Sequence, residues 1–171
     1  MSKIKVSSGF TSLKMLLFPY KEILVVYDRN VKAYAEKISG SRPSFAIDAD
    51  EAHKTMDTVM DVCRWLLDNG ADKKTLVLAV GGGATTDIVG FAASIFKRGI
   101  RYANVPTTLL AQVDAAIGGK TGVNLDHYKN MLGLIREPEF TYICTGTLRT
   151  LPEREFRSGA AEMLKTFIIK D

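Results

Sequence analysis

Short apolar runs that alternate with longer helical segments constrain the fold of this chain most. Residues 23–27 and 75–80 are almost continuously apolar, which is typical of strands buried on both faces of a parallel sheet. Between them, residues 51–69 carry apolar side chains at helical spacing and stop at Gly70, a common residue after a helix. The alternation predicts an α/β fold, with a Rossmann-like, largely parallel sheet and flanking helices joined by right-handed crossovers.

The rest of the chain continues this pattern and then changes. We predict helices over residues 31–38, 87–97 and 109–117, a strand over 102–105 and a weaker strand over 44–47. From residue 147 the pattern turns helical without returning to strand, and residues 158–171 are amphipathic. We therefore predict an α/β domain over residues 1–150 and the first helices of an incomplete α-helical domain over residues 151–171.

Composition narrows the possible function classes. The 171 residues are 46% hydrophobic, and 23 basic against 19 acidic residues leave a net charge of +4. The basic residues form no run, so we expect an anionic small molecule rather than nucleic acid as partner. No apolar run approaches the roughly 20 residues of a membrane span, and no signal-peptide layout is present. With two cysteines outside disulfide-like spacing, we expect a cytoplasmic protein without a membrane partner.

Three glycines, Gly81, Gly82 and Gly83, directly follow the apolar run of residues 75–80 and precede a helical pattern. Glycines let a backbone approach a ligand closely, and the free N–H groups of a helix N-terminus attract phosphate. Tight turns also use glycines, and the run is not a GxGxxG fingerprint, so phosphate binding and a simple turn both remain open. Thr85 or Thr86 is the predicted N-cap of the following helix.

Two aspartates have competing interpretations. Asp28 ends the first apolar run, where it could bind ribose hydroxyls or cap the next helix. Asp87 falls in the predicted first helical turn after the glycines. It could contact a ligand there, but the sequence favours simple charge–dipole stabilisation of about 0.3–1 kcal/mol.

Residues 106–130 concentrate polar chemistry in a short stretch. They include a Pro-Thr-Thr turn, Asp114, a Gly-Gly-Lys loop ending at Lys120, and the pair Lys129 and Asn130. Lysines supply point charges, an aspartate accepts hydroxyl protons, and glycines admit backbone N–H groups. As a set, these residues favour a phosphorylated, hydroxylated ligand over an ordinary solvated loop.

No complete metal site is evident from spacing. His53 and His127 are the only histidines, stand in no HxxxH or HxxEH arrangement, and are predicted to be surface residues. Glu162 and Lys165, three residues apart on a predicted helix, are by default a surface ion pair.

Four segments in unbroken order carry a resemblance to a known family. GGGATTDIVGF, KRGIRYANVPTTLLAQVDAAIGGKTGVN, KNMLG and LPEREFRSGAAEMLK together resemble 3-dehydroquinate synthases of the shikimate pathway, from about residue 28 onward. The resemblance implies a homodimeric lyase that converts 3-deoxy-D-arabino-heptulosonate 7-phosphate to 3-dehydroquinate and phosphate. Its implied cofactors are NAD, which oxidises the substrate transiently, and a divalent metal, zinc or cobalt. Another sugar-phosphate cyclase, a metal-dependent polyol dehydrogenase and a non-catalytic nucleotide-binding module remain alternatives.

The resemblance also implies roles for individual residues. Positions similar to the family's cofactor contacts are Asp28, Glu51, Lys54, Gly82, Gly83, Asp87, Thr107, Thr108, Leu110, Lys129, Thr150, Leu151 and Glu155. Positions similar to its catalytic, substrate-contacting residues are Asp114, Lys120, Asn130, Lys165 and Arg98, the last reaching across a dimer interface. Glu162 resembles one metal ligand, which replaces the ion-pair interpretation.

Two departures and one absence accompany the resemblance. Asp50 and Thr86 stand where the family usually has glycine. The family's two histidine metal ligands lie in a helical domain that this chain lacks, and His53 and His127 do not match them. We therefore expect the chain to be inactive alone.

Overall fold

The computed structural model describes residues 3–170, with the side chain of the last of these excepted. A six-stranded sheet has the order β1-β8-β5-β4-β2-β3, and all of its strand pairs are parallel, as predicted. A separate antiparallel hairpin pairs β6 with β7. The elements are β1 (Lys3–Ser7), α1 (Leu13–Leu17), β2 (Ile23–Asp28), α2 (Lys32–Ser39), β3 (Ser44–Ile47), α3 (Met56–Asp68), β4 (Leu76–Gly81), α4 (Gly83–Ile95), β5 (Arg101–Pro106), β6 (Lys120–Leu125), β7 (Tyr128–Ile135), β8 (Phe140–Cys144) and α5 (Glu153–Lys170).

The sheet is covered by helices on both faces, and this explains the continuous apolar runs. Successive residues of a strand point to opposite faces. In β4, Val77 and Ala79 pack against α3 and α4, whereas Leu76, Leu78 and Val80 pack against α1 and α2. Every residue of β4 is buried, so the two cores share one central strand. This confirms the predicted layering.

Helix α3 is shorter than predicted at its N-terminus. It begins at Met56, and the hydroxyl of Thr55 accepts a hydrogen bond from the backbone N–H of Thr58 at 3.4 Å. The preceding residues form a loop because Asp50 Oδ1 accepts bonds from the His53 backbone N–H (2.9 Å) and lies 2.7 Å from the His53 ring nitrogen Nδ1. Local side-chain bonds of this kind compete with helix formation. His53 and His127 are both exposed, as predicted.

Helix α4 begins earlier than predicted, and the expected threonine cap is wrong. Gly82 is the N-cap residue, so Thr85 and Thr86 lie inside the helix and are buried. The Thr86 hydroxyl donates back to the Gly83 carbonyl at 2.9 Å. A threonine can satisfy its hydroxyl within a helix in this way, so its presence near a helix start does not fix the cap position.

Three regions lie outside the predicted elements: β1 with α1, the β6–β7 hairpin, and β8. The predicted Gly-Gly-Lys loop ends where β6 begins, at Lys120, and the Lys129–Asn130 pair lies in β7. The predicted helix 109–117 is present but contains a π-helical turn at Ala111–Ala115. The hairpin packs tightly on α4, since a Cβ added at Gly90 would lie 2.5 Å from Thr121 Cγ2.

Candidate active site

A crevice forms where the parallel strands end. β2, β4, β5 and β8 finish at Asp28, Gly81, Pro106 and Cys144, all at the same edge of the sheet. Ligands of open α/β sheets bind outside this carboxyl edge. The segments that follow these strands therefore bring together most of the predicted cofactor contacts: Asp28, Gly82, Gly83, Thr107, Thr108, Thr150 and Leu151.

The three positions of the Gly81–Gly83 turn require glycine for different structural reasons. A Cβ at Gly81 would lie 2.2 Å from Thr85 Oγ1, and one at Gly83 would lie 3.0 Å from Ala115 Cβ, so internal packing requires these two glycines. Gly82 is half-buried, caps α4, and would place a Cβ 3.2 Å from Thr108 Cγ2. The helix N-terminus and Thr108 thus border a narrow cradle that a side chain at Gly82 would fill.

The crevice also contains a buried hydroxyl that no described residue satisfies. Thr107 is buried, and its Oγ1 has no hydrogen-bond partner among residues 3–170. Its backbone N–H donates to the Gly81 carbonyl at 2.8 Å, which places the hydroxyl beside the glycine turn. An orphaned buried hydroxyl next to helix N–H groups suits a pyrophosphate-bearing cofactor, so the residues present fit a dinucleotide.

Gln112 fixes the edge of this crevice, and sequence reasoning missed it. Its Nε2 lies 3.1 Å from the Pro106 carbonyl, the Cys144 carbonyl and Thr147 Oγ1. The Thr147 hydroxyl in turn donates to the carbonyl of Thr107 at 3.2 Å. This buried amide ties the end of β5 to the end of β8. Only the polarity of Gln112 within an apolar helical segment could have indicated it.

Asp28 acts as a cap. Its Oδ1 accepts a bond from the Asn30 backbone N–H at 2.8 Å, at the start of a 3₁₀ turn over Arg29–Val31. The structure therefore favours the capping interpretation for one carboxylate oxygen, while hydroxyl binding by Asp28 stays a prediction.

A buried lysine organises the second part of the site. Lys54 Nζ donates to Asp87 Oδ2 and to Asn130 Oδ1, both at 2.6 Å. The Lys54 and Asp87 side chains are only 8% and 18% exposed. Burial raises the pKa of Asp87 above its ordinary value, and the bond from Lys54 partly offsets this. Asp87 is the fifth residue of α4, so the charge–dipole interpretation was wrong: its partner is Lys54.

A bulge in the hairpin presents Lys129 and Asn130. Val123 pairs with Leu132 and Leu125 with Tyr128, so the three residues 129–131 face Asn124 alone. Bulges redirect side chains, often next to active sites. Here Asn130 reaches Lys54, and Lys129 Nζ lies 3.4 Å from Glu51 Oε1 as an exposed ion pair.

A cleft of about 540 Å³ lies between α4, the π-helical turn and the hairpin. Asp114, Lys120 and Asn130 line it, together with Asp87. The structure therefore brings three of the five predicted substrate contacts into one cavity. Asp87 and its bond to Lys54 connect this cleft to the predicted cofactor contacts.

Helix α5 packs against the π-helical turn and brings Lys165 toward Asp114. A Cβ at Gly159 would lie 2.6 Å from both Leu109 Cβ and the Leu110 backbone nitrogen, so α5 packs closely on this segment. Lys165 forms an ion pair with Glu162 on the same helix, and the role of Glu162 as a metal ligand stays a prediction. That bond, with a smaller contribution from Asp114, raises the pKa of Lys165. Glu155 is exposed in the first turn of α5.

The described residues do not assemble a metal site by themselves. Among residues 3–170, no three His, Cys, Asp or Glu side chains are grouped so that they could hold a metal ion. Zinc in proteins takes three or four protein ligands. The residues present therefore do not fit a complete zinc centre, and Glu162 could supply only one ligand.

Arg98 lies away from the cleft. It precedes β5, at the opposite edge of the sheet from the crevice, and is exposed. Lys97 and Arg98 both have left-handed φ values, +47° and +62°, which are strained for residues with a Cβ. Two lysine–carbonyl bonds of 2.7 Å hold this turn, from Lys97 to Ala71 and from Lys73 to Gly99.

Fold and site together define an α/β domain with a nucleotide-type crevice and an adjoining polar cleft. Across residues 3–170, no helix is both long and apolar enough to cross a membrane. Residues 44–158 match the family model described as 3-dehydroquinate synthase N-terminal. The chain therefore belongs to the 3-dehydroquinate synthase family, as the sequence resemblance implied.

Curated relatives agree with this assignment. The chain is 45% identical to the 3-dehydroquinate synthase of Acetivibrio thermocellus over 142 residues, covering 82% of this chain and 39% of that protein. It is 40% identical to that of Dictyoglomus thermophilum over 169 residues, covering 95% of this chain and 48% of that protein. The chain thus spans less than half the length of these relatives.

Solved structures with the same fold include two sugar-phosphate cyclases. The 2-epi-5-epi-valiolone synthase of Streptomyces hygroscopicus, with NAD⁺ and Zn²⁺ bound, superposes with a TM-score of 0.88 at 36% identity, covering 96% of this chain and 49% of that one. A 2-deoxy-scyllo-inosose synthase with carbaglucose-6-phosphate, NAD⁺ and Co²⁺ superposes at 0.83 with 29% identity, covering 95% and 48%. A probable glycerol dehydrogenase of Sinorhizobium meliloti, at 21% identity and a TM-score of 0.73, covers 90% of this chain and 42% of that one and shares the fold alone.

Proposed function

We propose that this chain forms the NAD-binding half of a 3-dehydroquinate synthase. The whole enzyme would convert 3-deoxy-D-arabino-heptulosonate 7-phosphate to 3-dehydroquinate and phosphate. The observation that carries the proposal is the cleft lined by Asp87, Asp114, Lys120 and Asn130, which the buried Lys54 connects to the predicted cofactor contacts. Membership of the family supports the reaction.

The crevice residues support NAD as the cofactor. The N-terminus of α4 at Gly82 would face the pyrophosphate, and the orphaned hydroxyl of Thr107 would gain a partner. When bound, NAD supplies a reversible hydride acceptor for a substrate hydroxyl. Lys54 would hold the Asp87 side chain in place beside the bound cofactor.

The cleft residues suit a phosphorylated, hydroxylated substrate. Lys120 is exposed and would provide a point charge for an anionic group. Asp114 would accept a hydroxyl proton, and Asn130 would orient a hydroxyl while Lys54 holds its side-chain oxygen. Lys165, placed near Asp114 by α5, would add a second cation.

We further propose that residues 151–171 belong to a second, helical domain whose remaining parts complete the site. Glu162 would be one ligand of a zinc or cobalt ion, with the other ligands contributed from outside this chain. Phosphate release from the heptulosonate phosphate should therefore be absent with the purified chain. Turnover that Lys120→Ala abolishes would contradict this expectation.

We also propose a homodimer of a cytoplasmic enzyme, in which Arg98 reaches the partner's substrate. Its strained, left-handed backbone and its position away from the cleft support a contact outside its own subunit. Exposed apolar side chains on α5, namely Phe167, Ile168 and Ile169 at 66–72% exposure, also favour self-association. A clean monomer in sedimentation at micromolar concentration would contradict the dimer.

Calorimetric titration of the purified chain with NAD⁺ tests the cofactor proposal. We expect saturable binding that Asp87→Ala weakens, because Lys54 then lacks its carboxylate and shifts. Asp61→Ala is the matched control: it removes an exposed carboxylate, paired with Arg64 on α3, away from the cleft. Absence of NAD⁺ binding by the wild-type chain would refute a preformed cofactor site.

The alternative is that the protein is another sugar-phosphate cyclase, and one observation favours it. The structural likeness to a 2-deoxy-scyllo-inosose synthase with carbaglucose-6-phosphate bound is high, at a TM-score of 0.83. The two functions differ in substrate rather than cofactor, so NAD⁺ titration cannot separate them. Tighter binding of carbaglucose-6-phosphate than of a heptulosonate phosphate to the NAD⁺-loaded chain would favour the alternative.

A further inference from the structure

Asn124 occupies the position where the hairpin meets the loop before α3. It is the one residue of β6 that faces the three bulged residues 129–131 of β7. The loop that carries Glu51 and Lys54 lies against the same point, because the backbone N–H of Asn124 donates to the Lys54 carbonyl at 2.9 Å. Asn124 therefore contacts both segments that carry predicted ligand contacts.

The side chain of Asn124 uses both ends of its amide at this junction. Nδ2 donates to Glu51 Oε1 at 2.9 Å and lies 3.4 Å from the Glu51 backbone carbonyl. Oδ1 accepts a bond from the backbone N–H of Asn130 at 2.9 Å. An amide is the side chain that donates and accepts at a fixed short separation, so neither a carboxylate nor a hydroxyl of similar size reproduces both bonds.

The bond to Asn130 explains an unusual backbone conformation. Asn130 has φ +55°, a left-handed value that costs free energy for residues with a Cβ and that asparagine tolerates best after glycine. In this conformation Asn130 Oδ1 meets Lys54 Nζ at 2.6 Å. Asn124 thus stabilises the backbone from which Asn130 reaches the buried lysine.

The hydrogen bond from Asn124 to Glu51 changes the pKa of the Glu51 carboxyl group. It is the main cause that lowers the pKa of Glu51 below its ordinary value, with a smaller contribution from Lys129. Glu51 therefore stays ionised and oriented in an otherwise exposed loop.

We propose that Asn124 is a positioning residue that sets Glu51, Lys54 and Asn130 in one arrangement, and so couples the cofactor side of the site to the substrate side. It acts through these three residues. The inference rests on the proposed function, since it assigns NAD⁺ to the Glu51–Lys54 side.

The test is NAD⁺ titration of the purified wild-type chain and three variants of it: Asn124→Ala, Glu51→Ala and the double variant. We expect Asn124→Ala to raise the Kd about tenfold in the wild-type background and less than about threefold in the Glu51→Ala background, because part of its effect passes through Glu51. A merely structural role would give additive effects. Asn69→Ala is the matched control, since it removes an exposed amide at the end of α3 whose side chain, among residues 3–170, donates to the Trp65 carbonyl of the same helix.

The outcomes of this titration distinguish failure of the inference about Asn124 from failure of the proposed function. Unchanged NAD⁺ binding in Asn124→Ala, or additive effects in the double variant, overturns the inference and leaves the proposed function standing. Failure of the wild-type chain to bind NAD⁺ overturns the proposed function and the inference with it.

A second variant covers the case in which Asn124→Ala does not fold. Asn124→Asp keeps the acceptor for the Asn130 N–H but removes the donor to Glu51 and places two carboxylates together. We expect a native circular dichroism spectrum with NAD⁺ binding weakened about tenfold or more. Binding as tight as wild type would overturn the inference.

Discussion

The central sheet and strand β7 of the hairpin are stabilised in different ways. All six residues of β4 are buried between two helical layers. In β7, by contrast, seven of the eight residues are exposed, and polar bonds from Asn130 to Lys54 and from Asn124 to Glu51 and Lys54 connect the hairpin to the loop before α3. The sheet resists change through apolar burial, whereas the position of the cleft depends on a few specific hydrogen bonds.

The largest expected effect distinguishes the two regions directly. Leu78→Ala in β4 should lower the free energy of unfolding by about 2–5 kcal/mol, because the side chain is fully buried and leaves a cavity. Ile135→Ala in β7 should change it by less than about 0.5 kcal/mol, since Ile135 is 84% exposed. Urea unfolding followed by circular dichroism measures both. Equal losses in the free energy of unfolding for the two variants would contradict the contrast between the sheet and β7.

The next effect tests whether a polar bond anchors the hairpin. Lys54→Met leaves Asp87 buried without its cation, so we expect a loss of about 1.5–3 kcal/mol in the free energy of unfolding. Lys32→Met, which removes an exposed pair with Glu36, should cost less than about 0.5 kcal/mol. Amide exchange should rise in the hairpin and not in β4. Uniform exchange across both regions would contradict a local anchor.

The cost of Lys54→Met should also depend on pH. The pKa of Asp87 is already raised by burial, and loss of Lys54 should raise it further. A raised pKa in the folded state means that stability is retained below the ordinary pKa of 3.8 and is lost as pH rises through the raised value. The difference between wild type and variant should therefore shrink in acid. A pH-independent difference in urea unfolding would show that Asp87 is not the group left unpaired.

The next, smaller effect should be confined to α5 and leave the stability of the sheet unchanged. Gly159→Ala adds a Cβ that would lie 2.6 Å from the Leu110 backbone, so we expect helix α5 to shift away at a cost of about 1–3 kcal/mol. Limited proteolysis should then cut α5 while the sheet stays intact. Ser158→Ala, an exposed neighbour, should leave the digestion pattern unchanged. Resistance of Gly159→Ala to cleavage would show that the helix accommodates the methyl group.

The smallest effect concerns the contact between the sheet and the end of the hairpin. Burial raises the pKa of Tyr102 to about 12, and its hydroxyl donates to the Arg136 carbonyl. Because the folded pKa lies above the ordinary value of 10.0, wild-type stability should fall as pH rises from about 10 to 12. Tyr102→Phe should cost about 0.5–1.5 kcal/mol at neutral pH and flatten this decline. An unchanged alkaline slope in urea unfolding would assign the decline to another group.

The sequence correctly predicted the strands and helices that have a clear apolar pattern within a single segment. The apolar runs at residues 23–27 and 75–80 predicted β2 and β4, and helical spacing predicted most of α3. It missed β1, β8 and the hairpin because β1 and β8 are only five residues long and β7 is exposed along most of its length, so none of them has a long apolar pattern. The shifted starts of α3 and α4 depend on particular capping residues, Thr55 and Gly82, rather than on the period of the helical pattern.

The sequence by itself determined the parallel sheet, the crevice at its carboxyl edge and the family, since these depend on local patterns and on motifs in fixed order. Only the tertiary structure decided which polar groups meet. Lys54 contacts Asp87 and Asn130 at sequence separations of 33 and 76 residues, and Asn124 of the hairpin contacts Glu51 at a separation of 73. Such contacts depend on strand order, on the bulge and on how the hairpin packs against Gly90, and the periodicity of a single segment contains no information about any of these.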